Sequence, residues 1–213
     1  MNFVDQEVTD YMRRLCDRFD EPVLAEMERL ASEKNFPIVG RLVGVALEVL
    51  ARSVRAGRVF ELGSGYGFSG YWFARAVGTG GEVTLSDGDE ANRDLAEGYL
   101  ARAGLWDRCK FVVGDAIEVL EATEGDFDIV YCDIDKGDYP RAFQCSRTRI
   151  RPGGLYLCDN VLWSGRVAKQ EDDDAWTKAI REHNQAIYDD PEFLPMILPI
   201  RDGVMAALKI GSL

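Results

Sequence analysis

Acidic residues recur in this chain at one kind of place. Five apolar runs, at 58–61, 82–87, 110–115, 127–133 and 154–159, each close on a carboxylate. Short apolar runs separated by helical patterns predict strands that are parallel neighbours in one sheet. Parallel strands share a carboxyl-terminal edge, and ligands of open α/β sheets bind outside that edge. Glu61, Asp87, Asp115, Asp133 and Asp159 are therefore expected around one crevice. Gathered carboxylates repel one another, and burying an unpaired one is costly. A ligand that brings positive charge or hydroxyl donors would resolve the conflict, with or without a metal ion.

The first run leads into Glu61-Leu62-Gly63-Ser64-Gly65-Tyr66-Gly67-Phe68-Ser69-Gly70, a glycine loop between a strand and a helix. Such a loop allows a tight turn and close approach of backbone to a ligand. Gly65, Gly67 and Gly70 satisfy G-x-G-x-x-G, a pattern that ligand-free turns also meet. Asp87 lies roughly 20 residues beyond Gly67, where a carboxylate can hold the ribose hydroxyls of an adenosine-type cofactor. Glu61 separates the candidates. It would repel the pyrophosphate of a nicotinamide or flavin dinucleotide, and it suits the amino group and sulfonium of S-adenosylmethionine. The dinucleotide stays as the alternative.

Two further strand ends carry Asp133-Ile134-Asp135-Lys136 and Cys158-Asp159-Asn160. Asp133, Asp159 and Asn160 offer two carboxylates and an amide carbonyl. Such a hard, all-oxygen set suits Mg²⁺, Mn²⁺ or Ca²⁺ rather than zinc or copper. Either segment alone also reads as an ordinary solvated turn. Together, beside the glycine loop, they point to a site.

These residues carry a specific resemblance. The stretch from Glu61 to Gly67, Asp115-Ala116, Asp133-Ile134-Asp135-Lys136, Pro152-Gly153-Gly154 and Asp159-Asn160-Val161-Leu162-Trp163-Ser164-Gly165 resemble the cation-dependent O-methyltransferases. That family includes the catechol and caffeoyl-CoA enzymes. The resemblance spans about 36–210 and is most specific in the Asp159 to Gly165 run. It implies a class I methyltransferase fold: a Rossmann-like, seven-stranded, mostly parallel sheet with helices on both faces and a C-terminal antiparallel hairpin. It implies Asp133, Asp159 and Asn160 as metal ligands and Lys136 as the base that deprotonates the acceptor. Asp87 would hold the ribose, and Asp115 with Ala116 would lie near the adenine. Glu61, Gly63, Ser64, Gly65, Tyr66, Gly67 and Ser69 would cradle the methionine part, with Asp133 beside them. The implied acceptor is a small molecule with adjacent hydroxyls, and the implied assembly is a homodimer with contacts from the N-terminal helices. The chain departs from the family pattern at Gly88 and through 36–44.

The elements that must position these residues are legible in outline. Two or three helices fill residues 2–55, with a start at Pro22, a break at Asn35-Phe36-Pro37 and a further helix over 39–54. A single methyltransferase domain is expected over 1–213, its α/β core at 56–213. Pro152-Gly153-Gly154 is expected to break a helix near 139–150 before the fifth strand. Arg201-Asp202-Gly203 predicts a hairpin turn between strands at 193–200 and 204–210. Pro195 and Pro199 put the first of these at a sheet edge. Tyr66, Phe68, Tyr71 and Trp72 read as packing residues, and Trp163 either as a core anchor or as a wall of the acceptor pocket.

Composition narrows the function further. The chain has 213 residues and a formal net charge of −12, against a nucleic-acid groove or an anionic membrane surface. No apolar stretch reaches membrane-spanning length, and the acidic N-terminus is unlike a signal peptide. The 5 cysteines form no C-x-x-C pair, and Cys132 and Cys158 sit within strand runs, so a reducing, cytoplasmic setting is expected. His183 is the only histidine. It excludes a histidine-rich metal site and reads as an exposed helix-face residue. A non-catalytic S-adenosylmethionine-binding protein is the remaining competitor, against which Lys136 and Asp159-Asn160 argue.

Overall fold

A computed structural model describes residues 4–19 and 21–211. The chain begins with helices α1 (Gln6–Leu15), α2 (Pro22–Lys34) and α3 (Gly40–Ser53). Strands and helices then alternate: β1 (Arg58–Leu62), α4 (Phe68–Val77), β2 (Glu82–Asp87), α5 (Glu90–Arg102), β3 (Cys109–Val113), α6 (Ala116–Ala122), β4 (Phe127–Cys132), α7 (Tyr139–Arg147) and β5 (Ile150–Cys158). Helix α8 (Ala175–Tyr188) and the hairpin β6 (Phe193–Leu198) and β7 (Val204–Lys209) complete it. Side-chain oxygens set several helix starts: Asp89, Asp115 and Asp174 accept from backbone N–H groups in the first turns of α5, α6 and α8. No helix among the described residues is long and apolar enough to cross a membrane.

The strands form one 7-stranded sheet in the order β3-β2-β1-β4-β5-β7-β6. The first five are parallel, and β7 runs antiparallel to both its neighbours. Strand order reverses between β1 and β4, which opens a crevice at their carboxyl ends. The two-residue period of a strand sends alternate side chains to opposite faces. Val59, Ile129, Tyr131, Leu155 and Leu157 pack with α2 to α5 on one face. Phe60, Leu62, Val130, Cys132, Tyr156 and Cys158 pack with α6 to α8 on the other. Helices therefore cover both faces, β6 is an edge strand, and Tyr66, Phe68, Tyr71 and Trp72 are buried.

Three expectations need correction. Pro152-Gly153-Gly154 does not end a helix. Helix α7 stops at Arg147, and β5 begins at Ile150, which pairs with Phe127. The next pair is Ile129 with Leu155, so the Pro-Gly-Gly segment is a bulge within β5, with Gly153 at φ +79°. The second correction is smaller: β6 ends at Leu198, leaving Pro199 in the turn.

The third concerns His183, which is fully buried rather than exposed. Its Nε2 lies 3.0 Å from the Tyr156 hydroxyl and its Nδ1 lies 3.1 Å from Asn184 Oδ1. The polar neighbours of His183 in sequence conceal its spacing. Thr177, Ile180, His183 and Ile187 recur at helical intervals and form the buried stripe of α8. Burial depresses the His183 pKa to about 4.

Two predictions follow from this packing. Helix α3 crosses α4 at Gly44, where an added Cβ would collide with the buried Trp72 indole. Alanine would gain about 1 kcal/mol of helix propensity. Overpacking a core costs about 1–3 kcal/mol, and an immobile indole puts the cost at the upper end. Gly44→Ala should lower the urea midpoint without changing the slope of the transition. The His183 prediction concerns pH. With a folded pKa near 4 and an ordinary value of 6.5, its contribution is intact above pH 6.5 and is lost as pH falls toward 4. The stability difference between the natural protein and His183→Gln should shift against the natural protein by about 3 kcal/mol across that window, read by denaturant titration at each pH.

Candidate active site

The carboxyl ends of β1, β2, β3, β4 and β5 open onto a cavity of about 680 Å³. Its floor is built by backbone ladders that continue past the strands. Asp133 N–H donates to the Leu62 carbonyl at 2.9 Å, and Asp159 N–H donates to the Cys132 carbonyl at 3.2 Å. Cys132 and Cys158 are direct partners in the β4–β5 register. Asp133 and Asp159 thus follow neighbouring positions on strands about 4.8 Å apart. The juxtaposition expected from the sequence is present.

The glycine loop sits over the β1 end. Gly63 and Ser64 both donate backbone N–H groups to the Ser86 carbonyl, at 3.0 and 2.9 Å. Gly63 takes φ +78°, and a Cβ there would strike the Asp133 carbonyl. No larger residue lets the loop pass so close to β4. Gly63, Ser64, Gly65, Tyr66 and Ser69 line the cavity. Gly67 does not; it caps α4.

Glu61 is fully buried and lies behind the cavity wall rather than in it. The Ser69 hydroxyl donates to its Oε1, while Oε2 has no partner. Burial raises its pKa to about 8 despite the Ser69 bond, and the charges of Asp133 and Asp87 add to the rise. The Asp87 carboxylate lines the cavity and is braced by its own loop. Oδ2 accepts from Gly65 N–H at 3.0 Å, and Oδ1 accepts from Asp89 N–H at 2.9 Å and from Asn92 Nδ2 at 3.0 Å. Asp115 Oδ1 caps α6 through the amides of Ile117 and Glu118, and Asp115 and Ala116 form part of the wall.

Lys136 is held in the site. Its side chain is 14% exposed, and Nζ donates to Asp133 Oδ1 and to the Ile134 carbonyl, both at 3.2 Å. Asp159 is 1% exposed and its Oδ1 has no partner. Burial raises the Asp159 pKa to about 7. Repulsion from Asp133 adds to this, while Arg201, the Asn160 amide and Lys136 oppose it. Asn160 takes φ +57° and lines the cavity beside Trp163. Trp163 also packs on the core and against the Trp176 ring at 6.0 Å. Among the described residues no group of three or more His, Cys, Asp or Glu side chains gathers as a metal centre. The candidate donor set is two carboxylates and an amide.

Around this wall Asp87, Asp115, Asp133, Asp135, Asp138 and Asp159 meet only Lys136 and Arg201 as cations. A cleft so charged concentrates cationic ligands. Two segments outside the expected site residues also contribute. The loop from Phe36 to Val39 closes one side of the cavity, and Arg201 reaches in from the β6–β7 turn. Neither has a motif. The Phe36–Tyr66 ring contact, 4.9 Å between centroids, arises only when α3 docks on α4.

Comparison with known proteins adds to this geometry. Residues 15–210 match a family described as O-methyltransferase. A catechol O-methyltransferase of Niastella koreensis is 31% identical over 189 residues, covering 86% of this chain and 85% of the relative. A catechol O-methyltransferase of Mycobacterium tuberculosis is 33% identical over 157 residues, covering 72% of this chain and 71% of the relative. Among solved structures, the Streptomyces achromogenes O-methyltransferase TomG, involved in tomaymycin synthesis and in complex with S-adenosylmethionine, superposes with a TM-score of 0.88 at 25% identity. That match covers 98% of this chain and 100% of TomG.

The buried glutamate generates a prediction for the ligand-free protein. Glu61 keeps its proton up to about pH 8 when folded, against an ordinary value of 4.5. Its contribution to stability is thus full below pH 4.5 and is lost as pH rises toward 8. Glu61→Gln should remove this loss. The stability difference between variant and natural protein should move in the variant's favour by about 5 kcal/mol across that window, measured by urea unfolding at a series of pH values.

Proposed function

This chain belongs to the O-methyltransferase family, and we propose that it methylates one hydroxyl of an acceptor bearing two adjacent hydroxyls, such as a catechol, with the help of a divalent cation. The enzyme is S-adenosylmethionine-dependent, so the dinucleotide alternative falls. The names of the two catechol O-methyltransferase relatives support the acceptor class. The observation that carries the cation is the Asp159 Oδ1, buried and without a partner beside Asp133. A carboxylate oxygen so placed lacks a hydrogen-bond donor, and an all-oxygen donor set of this kind fits a hard divalent ion.

Asp133, Asp159 and Asn160 would hold the ion, with Mg²⁺ the best match to the donors. A divalent cation there supplies Lewis-acid stabilisation of an oxygen anion. S-adenosylmethionine supplies an electrophilic methyl carbon on a sulfonium, which becomes a neutral thioether as the carbon–sulfur bond breaks. This chain's residues supply position and proton handling. Asp87 meets the ribose hydroxyls, and Asp115 with Ala116 borders the adenine. The loop Gly63, Ser64, Gly65 and Tyr66 follows the methionine part. Glu61, held by Ser69 and protonated in the ligand-free protein, would ionise as a buried partner behind the cofactor's ammonium group. Asp133 serves both ligands.

A phenolic hydroxyl has a pKa of about 10, so little of it is ionised at neutral pH. Lys136 takes the proton while the acceptor oxygen forms its bond to the methyl carbon. Its anchorage to Asp133 and the Ile134 carbonyl keeps Nζ at the cavity wall. Trp163 gives the acceptor ring an apolar wall. A homodimer fits the same picture, because α1 buries no side chain in the protomer and leaves Val8, Tyr11 and Leu15 exposed.

Asp159→Ala should lower catechol methylation by at least about 100-fold in the presence of Mg²⁺, and chelation of the natural enzyme should have a similar effect. Calorimetry should show S-adenosylmethionine binding changed by less than about 3-fold, since the cofactor contacts lie elsewhere. Undiminished turnover in that variant would refute the cation's role. Lys136→Met should cost about 10²–10⁴ in kcat, the usual range for loss of a general base, measured by release of S-adenosylhomocysteine.

A further inference from the structure

A second cavity, of about 970 Å³, adjoins the first. Ile38, Val39, Asn160 and Arg201 border both. Spaces of this scale hold drug-sized ligands, well beyond a bare catechol ring. The acceptor's ring, placed at Lys136 and Asn160, would therefore extend its substituent past Arg201 into this second space.

Arg201 is fixed there by the chain around it. The β6–β7 turn is bonded to the loop that follows β5. Val161 N–H donates to the Gly203 carbonyl at 3.1 Å and Leu162 N–H to the Asp202 carbonyl at 2.9 Å. Ser164 N–H donates to Asp202 Oδ1. Gly203 sits at φ +86° against Leu162, where a Cβ would collide with that side chain. Arg201 itself holds a left-handed φ of +54°. Its Nη1 donates to the Ile38 carbonyl.

The charge of Arg201 acts at a distance on Asp159 and Asp202. Among the described residues it makes no ion pair, and a guanidinium carries five N–H donors. The other arginines on the second cavity are engaged. Arg41 makes two 2.8 Å bonds to Glu28, and Arg13 pairs with Asp10 at 3.3 Å. Of the carboxylates there, Glu28 is bound by Arg41 and Asp202 by the Ser164 amide, while Asp17 borders only the second cavity. At the junction of the two spaces Arg201 is thus a rigidly mounted guanidinium with N–H donors to spare, in a chain of net charge −12.

We infer that Arg201 is a specificity-determining residue that pairs with a carboxylate on the acceptor, so that the preferred substrate is a catechol bearing a carboxylate substituent. A guanidinium matches a carboxylate in a two-pronged geometry that an ammonium or a neutral group cannot reproduce. The inference rests on the catechol reading above and adds the substituent.

The test compares three acceptors with Mg²⁺ present: protocatechuate, catechol itself, and a catechol bearing an aminomethyl group. The natural enzyme should show kcat/KM for protocatechuate at least about 10-fold above that for catechol, the effect of one charge-assisted pair. The amine should be the poorest. Arg201→Met should bring the protocatechuate-to-catechol ratio close to unity, and Arg201→Lys should keep part of it. S-adenosylhomocysteine binding by calorimetry shows that each variant is folded. Equal use of protocatechuate and catechol by the natural enzyme, preference for the amine, or a ratio that survives Arg201→Met with cofactor binding intact would overturn the inference and leave catechol methylation standing. If a variant fails to fold, the natural enzyme's ratio alone decides. No methylation of any of the three, with cofactor binding intact, would overturn the catechol reading and this inference with it.

Discussion

The structure depends on carboxylates being held, incompletely partnered, at the ends of in-register parallel strands. Glu61 and Asp159 are both buried, and each keeps one oxygen without a hydrogen bond. Burial drives both toward the neutral form, and neighbouring aspartates drive them further. Such groups weaken a ligand-free protein and favour any cation that fills the space beside them. The surrounding architecture exists to make that arrangement tolerable. Two packed faces, one under α2 to α5 and one under α6 to α8, fix the strand ends so that the carboxylates cannot swing into water.

The position of β1 at the reversal of strand order gives the site its division of labour. On one side, β2 and β3 bring Asp87 and Asp115, the residues proposed for the adenosine. On the other, β4 and β5 bring Asp133, Lys136, Asp159 and Asn160, the residues proposed for chemistry. Gly63 joins the two sides, because its lack of a side chain lets the β1 loop lie against the Asp133 carbonyl. Asp133 is shared by both halves and is tied to Lys136. The antiparallel hairpin beyond β5 has a separate use. Its turn is bonded to the loop after Asn160 and brings a second cation, beside Lys136, to a largely acidic rim.

Much of this was legible in the residues. Runs of apolar side chains, each closed by an acid, specified five parallel strands and their common edge. Pro195 in β6 marked the sheet border. Where reading failed, the physical reason is specific. Pro152-Gly153-Gly154 looks like a helix break because both residue types interrupt helices, yet a bulge in a buried strand uses the same two properties. His183 looked solvated because its neighbours are polar, although Thr177, Ile180 and Ile187 share its helix face.

By itself the sequence determined the sheet, the family resemblance and which acids would meet, because strand periodicity and motif spacing are local properties of the chain. Which carboxylate oxygens lack partners, and how far burial moves their protonation, were decided only in the folded molecule. So was the approach of Phe36 and Arg201 to the cavity. Those features depend on contacts between segments far apart in the chain, such as Arg201 with Ile38. No local pattern encodes a contact of that kind. It exists only after the helices have packed on the sheet.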